Sequence, residues 1–174
     1  GDVLVLGKPL GVGIYSAALK KNLLDDAGYA AMVAATTQLN RPGADLSKLE
    51  GVHALTDVTG FGLLGHSLEL ARGAQLTAHI DMQALPVLPG AMALAEQGVF
   101  TGASTRNWAS YGESVQLAGH ITDSQRALLT DPQTSGGLLV SCTPDTVQQV
   151  LATFEQHGFA SACVVGRMES GAPQ

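Results

Sequence analysis

The sequence predicts an α/β layered domain, and three observations carry that prediction. Short apolar runs of strand length alternate with longer stretches of helical period. The 174 residues show no internal repeat or low-complexity tract, which favours one long domain over two small ones. Apolar residues make up 45% of the chain and charged residues only 14%, which excludes disorder and supplies a core that needs no covalent staples. Strands and helices follow one another at the intervals of crossover units, in which a helix carries the chain back across a sheet.

Residues 3–6 form the first strand, closed by the loop 7–13 and followed by a helix over 14–24. Asp25 and Asp26 cap a second helix that runs to about residue 39, and Pro42-Gly43 breaks it. Residues 52–58 read as a strand. Gly60-Phe61-Gly62 opens a helix whose apolar positions Phe61, Leu64, Leu68 and Ala71 fall at i, i+3, i+7 and i+10; Gly73 ends it. Residues 76–80 are the next strand. A helix lies within 86–98, through Met92, Leu94 and Ala95, and 102–111 reads as irregular and polar. Thr122-Asp123-Ser124 caps a short helix, Asp131-Pro132 turns the chain, and 137–142 is a strand. The stretch 145–157 is amphipathic, with Val147, Val150, Leu151 and Phe154 on one stripe. Residues 162–166 form the closing strand, and 170–174 read as a frayed tail.

Nine basic and fifteen acidic residues leave a net charge of −6, and no lysine- or arginine-rich face is present. That argues against a phosphate-tracking nucleic-acid binder. Cys142 and Cys163 form neither a C-x-x-C nor a zinc spacing and read as reduced, buried small side chains. No run reaches 18 apolar residues and the first twenty residues lack a signal-peptide pattern, so no membrane span is expected and a cytoplasmic location is. The chain opens without methionine on strand-like residues, as a piece of a longer protein would.

The segment most able to carry chemistry is Leu55-Thr56-Asp57-Val58-Thr59-Gly60-Phe61-Gly62-Leu63-Leu64-Gly65-His66. It places G-x-G-x-x-G between a strand and a helix, with Asp81 twenty-one residues after Gly60, which on paper satisfies a dinucleotide fingerprint. Asp57, however, stands three residues before the first glycine. Two like charges about 4 Å apart repel by ~1 kcal/mol in water and ~4 kcal/mol at an effective dielectric near 20. A carboxylate beside a polyphosphate therefore needs a cation between them, and magnesium or manganese in that place makes the arrangement favourable. Three readings stay open on spacing alone: a metal–phosphate strand end, a dinucleotide site, and a helix cap with a tight turn.

Other segments are less specific. Thr134-Ser135-Gly136-Gly137 has the small residues of a backbone anion nest, and plain turns share that composition. Lys8, in Gly7-Lys8-Pro9-Leu10-Gly11-Val12-Gly13, lies outside any Walker A pattern and reads as a solvated or interface charge. The five histidines show no metal-ligand spacing and read as structural or surface groups, with His66 the best placed for a site. No G-x-S-x-G elbow supports acyl chemistry.

With the Asp57 segment, the opening Lys8-Pro9-Leu10-Gly11-Val12-Gly13 and Asp131-Pro132-Gln133-Thr134-Ser135-Gly136-Gly137 in the same order, the chain resembles the C-terminal half of the selenophosphate synthetase (selenide, water dikinase) family. The markers span the whole chain, and Arg106-Asn107 is compatible with the same family. The resemblance implies a three-layer α/β/α domain of the aminoimidazole ribonucleotide synthetase C-terminal type, partly ferredoxin-like. Residues 1–174 would be one C-terminal domain of an enzyme that turns ATP, selenide and water into selenophosphate, AMP and orthophosphate, for selenium metabolism and selenocysteine biosynthesis. The family uses Mg2+ and usually K+.

By the same resemblance Asp57 is a metal ligand at the ATP phosphates, Gly60 and Gly62 let the chain pass close to them, and Ser135, Gly136 and Gly137 belong to the cleft. The family carries threonine where this chain has Gly7 and Val12. Its N-terminal half holds the catalytic cysteine or selenocysteine, the partner lysine and the ATP-binding, dimer-forming barrel. No catalytic residue is therefore expected within 1–174; the fragment alone would be inactive, and the full-length protein a homodimer. The competing expectations are an NAD-dependent oxidoreductase, from the glycine pattern, and a non-catalytic interaction domain.

Overall fold

The computed structural model describes residues 1–174. Five strands, β1 (Val3–Leu6), β2 (Val52–Asp57), β3 (Thr77–Ile80), β4 (Leu138–Cys142) and β5 (Cys163–Glu169), form one sheet in the order β2-β4-β1-β5-β3. Every neighbouring pair is antiparallel. β1, β2 and β3 nevertheless run the same way, because each pairs with β4 or β5 lying between them. The crossover rhythm in the sequence is therefore real, but the β1–β2 and β4–β5 crossovers each pass over one inserted antiparallel strand, as in a split β-α-β unit, and the β2–β3 crossover passes over three. No two crossover-linked strands are hydrogen-bonded neighbours, contrary to a simple parallel reading.

Eight helices pack on this sheet: α1 (Val12–Lys20), α2 (Asp26–Thr37), α3 (Pro42–Leu46), α4 (Gly62–Ala74), α5 (Ala91–Glu96), α6 (Gly102–Tyr111), α7 (Asp123–Leu129) and α8 (Val147–Gln156). Alternation along β1 divides the core. Leu4 and Leu6 face Ile14, Leu63, Leu128, Leu139 and Val165, under α1, α4 and α7. Val5 points the other way, to Leu46, Val140, Val150 and Phe154, under α3 and α8. The result is the expected three-layer arrangement. β4 is buried on both faces, which is why Leu138-Leu139-Val140 reads as a continuous apolar run.

The structure corrects four local expectations. Residues 102–111 are not irregular: they form α6, capped by Thr101, whose Oγ1 accepts from the Ser104 amide at 3.2 Å. The inward face of α6 is polar, Ser104 and Asn107 being its buried residues, so hydrophobic periodicity is blind to it. Pro42 does not break the second helix, which has already ended at Thr37; it starts the short helix α3 instead. The closing strand runs on to Glu169 and pairs with both β1 and β3. The tail is not frayed: Gln174 O accepts from the Ala78 amide at 3.0 Å and Ala172 O from the Thr77 hydroxyl at 2.7 Å, covering the outer edge of β3. Both cysteines are free, on strands that flank β1 from opposite sides. No helix is long and apolar enough to cross a membrane.

Candidate functional site

Because β1 and β2 run together and β4 runs against them, the C-terminal ends of the first two and the start of β4 meet at one end of the sheet. Asp57 is the last residue of β2, an edge strand, opposite Leu138. Its side chain is exposed and enters no hydrogen bond or ion pair within the chain. It therefore caps no helix. Val58 is buried, and its amide donates to Gly137 O at 2.9 Å. Thr59 O then accepts from the Gly62 amide at 3.1 Å and the Gln133 amide at 2.9 Å, tying the glycine loop to the segment 131–137.

The two site glycines differ in cause. Gly62 has φ +71°, and a Cβ there would approach the backbone carbon of Thr130 to 2.7 Å, so the fold itself requires glycine. At Gly60 a Cβ would meet no atom within 4 Å, so nothing in this chain demands its absence. Gly62→Ala is accordingly expected to destabilise the protein by about 2 kcal/mol or more, whereas Gly60→Ala should stay within about 0.5 kcal/mol of wild type; urea unfolding of the two variants checks this.

Helix α6 holds the loop from behind. Asn107 Nδ2 donates to Gly60 O at 2.8 Å and Thr130 O at 3.0 Å, and one turn later the Tyr111 hydroxyl donates to Phe61 O at 2.5 Å. Within a trans peptide unit C=O and N–H point opposite ways, so drawing the Gly60 carbonyl onto α6 turns the Phe61 amide away from it. The amides of Gly60, Phe61, Leu63 and Leu64 donate to no acceptor in the chain, and no side chain caps α4. A second set of idle amides lies at Ser135 and Gly136, while the carbonyls of Ser135, Gly136 and Gly137 are taken by Lys8 Nζ, Asn40 Nδ2 and the Val58 amide. His66 supports the loop from α4: Nε2 lies 3.2 Å from Thr59 Oγ1 and Nδ1 2.8 Å from Glu69 Oε2.

Asp131 and Gln133 serve a different helix. Asp131 Oδ2 accepts from the Gly13 and Ile14 amides at 2.9 and 3.2 Å, and Gln133 Oε1 from the Gly11 and Val12 amides, both at 3.2 Å. The start of α1 is thus filled by the protein's own acceptors. Asp131 is fully buried and its Oδ1 has no partner; burial pushes its carboxyl up to about 7, against the opposing pull of these donors. The native state therefore holds a proton that the unfolded chain has already lost. The contribution of this group to stability is full below about pH 4 and is lost as pH rises through about 7. Asp131→Asn should flatten the stability profile over that range, as followed by chemical unfolding at stepped pH.

Two readings of the sequence fail against this geometry. Lys8 is neither solvated nor at an interface: it is 2% exposed, and Nζ donates to the carbonyls of Ala35, Gln38 and Ser135 at 3.0, 2.6 and 2.6 Å. The dinucleotide fingerprint needs Asp81 on a strand beside β2. β3 instead sits at the far edge of the sheet, four strand spacings away, or about 19 Å. Asp81 caps its own short turn by accepting from the Gln83 amide, and it lines a cavity of about 660 Å3 with Leu64, Ser67 and Ile80 that none of Asp57, Gly60 and Gly62 reaches.

Residues 1–173 match the family model described as AIR synthase related protein, C-terminal domain. The chain belongs to this family. Among curated relatives, a selenide, water dikinase from Pseudomonas straminea is 77% identical over 174 residues, covering all of this chain and 49% of that protein. The chain thus spans about half the length of the relatives it matches, and the resemblance carried by its motifs is borne out along its whole length. Among solved structures, Escherichia coli HypE has a TM-score of 0.72 at 23% identity over 99% of this chain and 45% of that one. Hydrogenase maturation protein HypE in complex with ATP has a TM-score of 0.62 at 20% identity over 98% of this chain and 43% of that one. These likenesses show the shared fold.

No group of three or more His, Cys, Asp or Glu side chains gathers anywhere in the chain. What the chain offers a cation is one exposed carboxylate. Mg2+ is commonly held by one or two carboxylates together with waters and substrate phosphates, so the donor set fits a partial site and no more.

Proposed function

We propose that this chain is the C-terminal domain of a selenide, water dikinase, supplying one wall and one metal ligand of an ATP site completed by the rest of the enzyme. The observation that carries the reading is Asp57, an unengaged carboxylate directly beside two runs of unengaged backbone amides. The idle amides of Gly60, Phe61, Leu63 and Leu64 and those of Ser135 and Gly136 suit the negative charge of a polyphosphate, and the start of α4 adds the positive end of a helix dipole. A bare carboxylate in that company repels phosphate unless a divalent ion lies between them. When bound, Mg2+ would neutralise charge on the transferring phosphoryl group.

Six residues of the chain then have a task. Asp57 would hold the ion. Gly60 would leave room for the phosphates to approach the backbone, and Gly62 lets the loop turn onto Thr130. Asn107, Tyr111 and His66 fix the loop, so the amides need little reorganisation when the phosphates arrive. The relatives named selenide, water dikinase and the ATP-bound HypE support ATP and selenide as substrates. Their names also favour this reading over a free-standing interaction domain. The nucleophile, further metal ligands and dimer contacts are assigned to the half of the relatives outside this chain, with K+ as a further ion and the cytoplasm as the location.

The test is 31P NMR of reactions holding ATP, Mg2+ and selenide. The full-length protein should form selenophosphate with AMP and orthophosphate, and residues 1–174 alone should form none. Sustained turnover by the 174-residue chain would contradict the division of the site.

A further inference from the structure

Eight large apolar side chains are substantially exposed, and five of them, Leu19, Leu23, Tyr29, Val33 and Leu39, lie between residues 19 and 39. They cluster on the end of α1, on α2 and on the turns that follow each. α2 is unusual in itself. Of its twelve residues only Gly28 is buried, and after Asp26 it carries no charge. A helix that faces water normally shows a charged outer face, so an apolar outer face marks a contact surface.

Four bonds connect the far end of α2 to residues 135 and 136, beside the Asp57 loop. Lys8 Nζ joins the Ala35 and Gln38 carbonyls of that end to Ser135 O, and Asn40 Nδ2 donates to Gly136 O at 2.8 Å. Gly136 in turn packs so closely on the Val58 carbonyl that a Cβ would fall 1.9 Å from it, and Val58 follows Asp57. The apolar face and the incomplete metal site are thus neighbours on one rigid rim. The relatives carry about as much chain again as is present here.

We infer that the exposed face of α2, around Tyr29 and Val33, is the surface on which the other half of the full-length protein docks, next to the carboxylate whose coordination it completes. This rests on the proposed division of the site between two halves. A body seated on α2 lies beside Ser135 and Val58 and can extend its own ligands over Asp57. The buried Lys8 makes the platform stiff, since shifting the end of α2 would break its contacts with Ala35, Gln38 and Ser135 together.

The test places p-benzoylphenylalanine at Val33, or at exposed Ala30 should the first variant fold poorly, in the full-length protein prepared as a mixture of 14N and 15N chains. Photo-cross-links are then mapped by mass spectrometry. Cross-links into residues preceding Gly1 are expected, and the same probe at Glu155, on the outer side of α8, should give none to that half. Cross-links from position 33 only into residues 1–174 of a differently labelled copy would overturn the inference, as would capture of water alone. Repeating the experiment with Asp57→Asn separates the two proposals: unchanged cross-links with unchanged activity would remove the metal role and leave the docking surface standing.

Discussion

Asp57→Asn in the full-length enzyme is expected to lower selenide-dependent ATP consumption by about 10²–10³-fold, the loss seen when one preorganised stabiliser of developing charge is removed. The substitution keeps shape and removes charge. The side chain is exposed and bonded to nothing in the chain, so the fold has no stake in it. The thermal midpoint should therefore stay where it is while activity falls, a separation that a structural residue cannot give. Raised Mg2+ should recover part of the loss if the defect is in holding the ion. Steady-state rates over a magnesium series, with melting curves on the same preparations, check both halves of the expectation.

Lys8→Met is expected to have the largest effect on stability, about 3 kcal/mol or more. Methionine matches the four-atom stem of lysine and keeps that stem packed, but it ends one atom short and has no donor. The carbonyls of Ala35, Gln38 and Ser135 would each remain in a site that now offers no hydrogen. Burial already holds the Lys8 ammonium below the ordinary lysine range, so the contacts that keep it charged are being asked to offset desolvation. Urea unfolding should show the loss, and amide exchange should show it centred on residues 35–40 and 135–137. A midpoint equal to wild type would mean that the three carbonyls find other partners.

Local chemistry was legible in the sequence, and distant pairing was not. The Asp57 segment could be read because its carboxylate, threonines and glycines are consecutive, and the stripe on α8 because Val147, Val150 and Phe154 repeat at the helical period and are all buried. The two glycines of the motif look alike in sequence; only the backbone of Thr130, sixty-eight positions after Gly62, distinguishes the one the fold needs. Lys8 could not be placed because its three acceptors are 27, 30 and 127 residues away. The sequence hides α6 because its buried residues, Ser104 and Asn107, are polar and bond to neighbouring backbone. Asp81 looked like a partner of Gly60 because sequence spacing cannot tell that β4, β1 and β5 lie between their strands.

The central claim is that the Asp57 carboxylate holds a divalent ion against nucleotide phosphate. Mn2+ binding to the full-length protein, followed by electron paramagnetic resonance with a non-hydrolysable ATP analogue present, measures it directly. Asp57→Asn should weaken Mn2+ by at least about tenfold, with Asp81→Asn unchanged as the control at the opposite edge of the sheet. Equal Mn2+ affinity in the wild type and in Asp57→Asn would contradict the account.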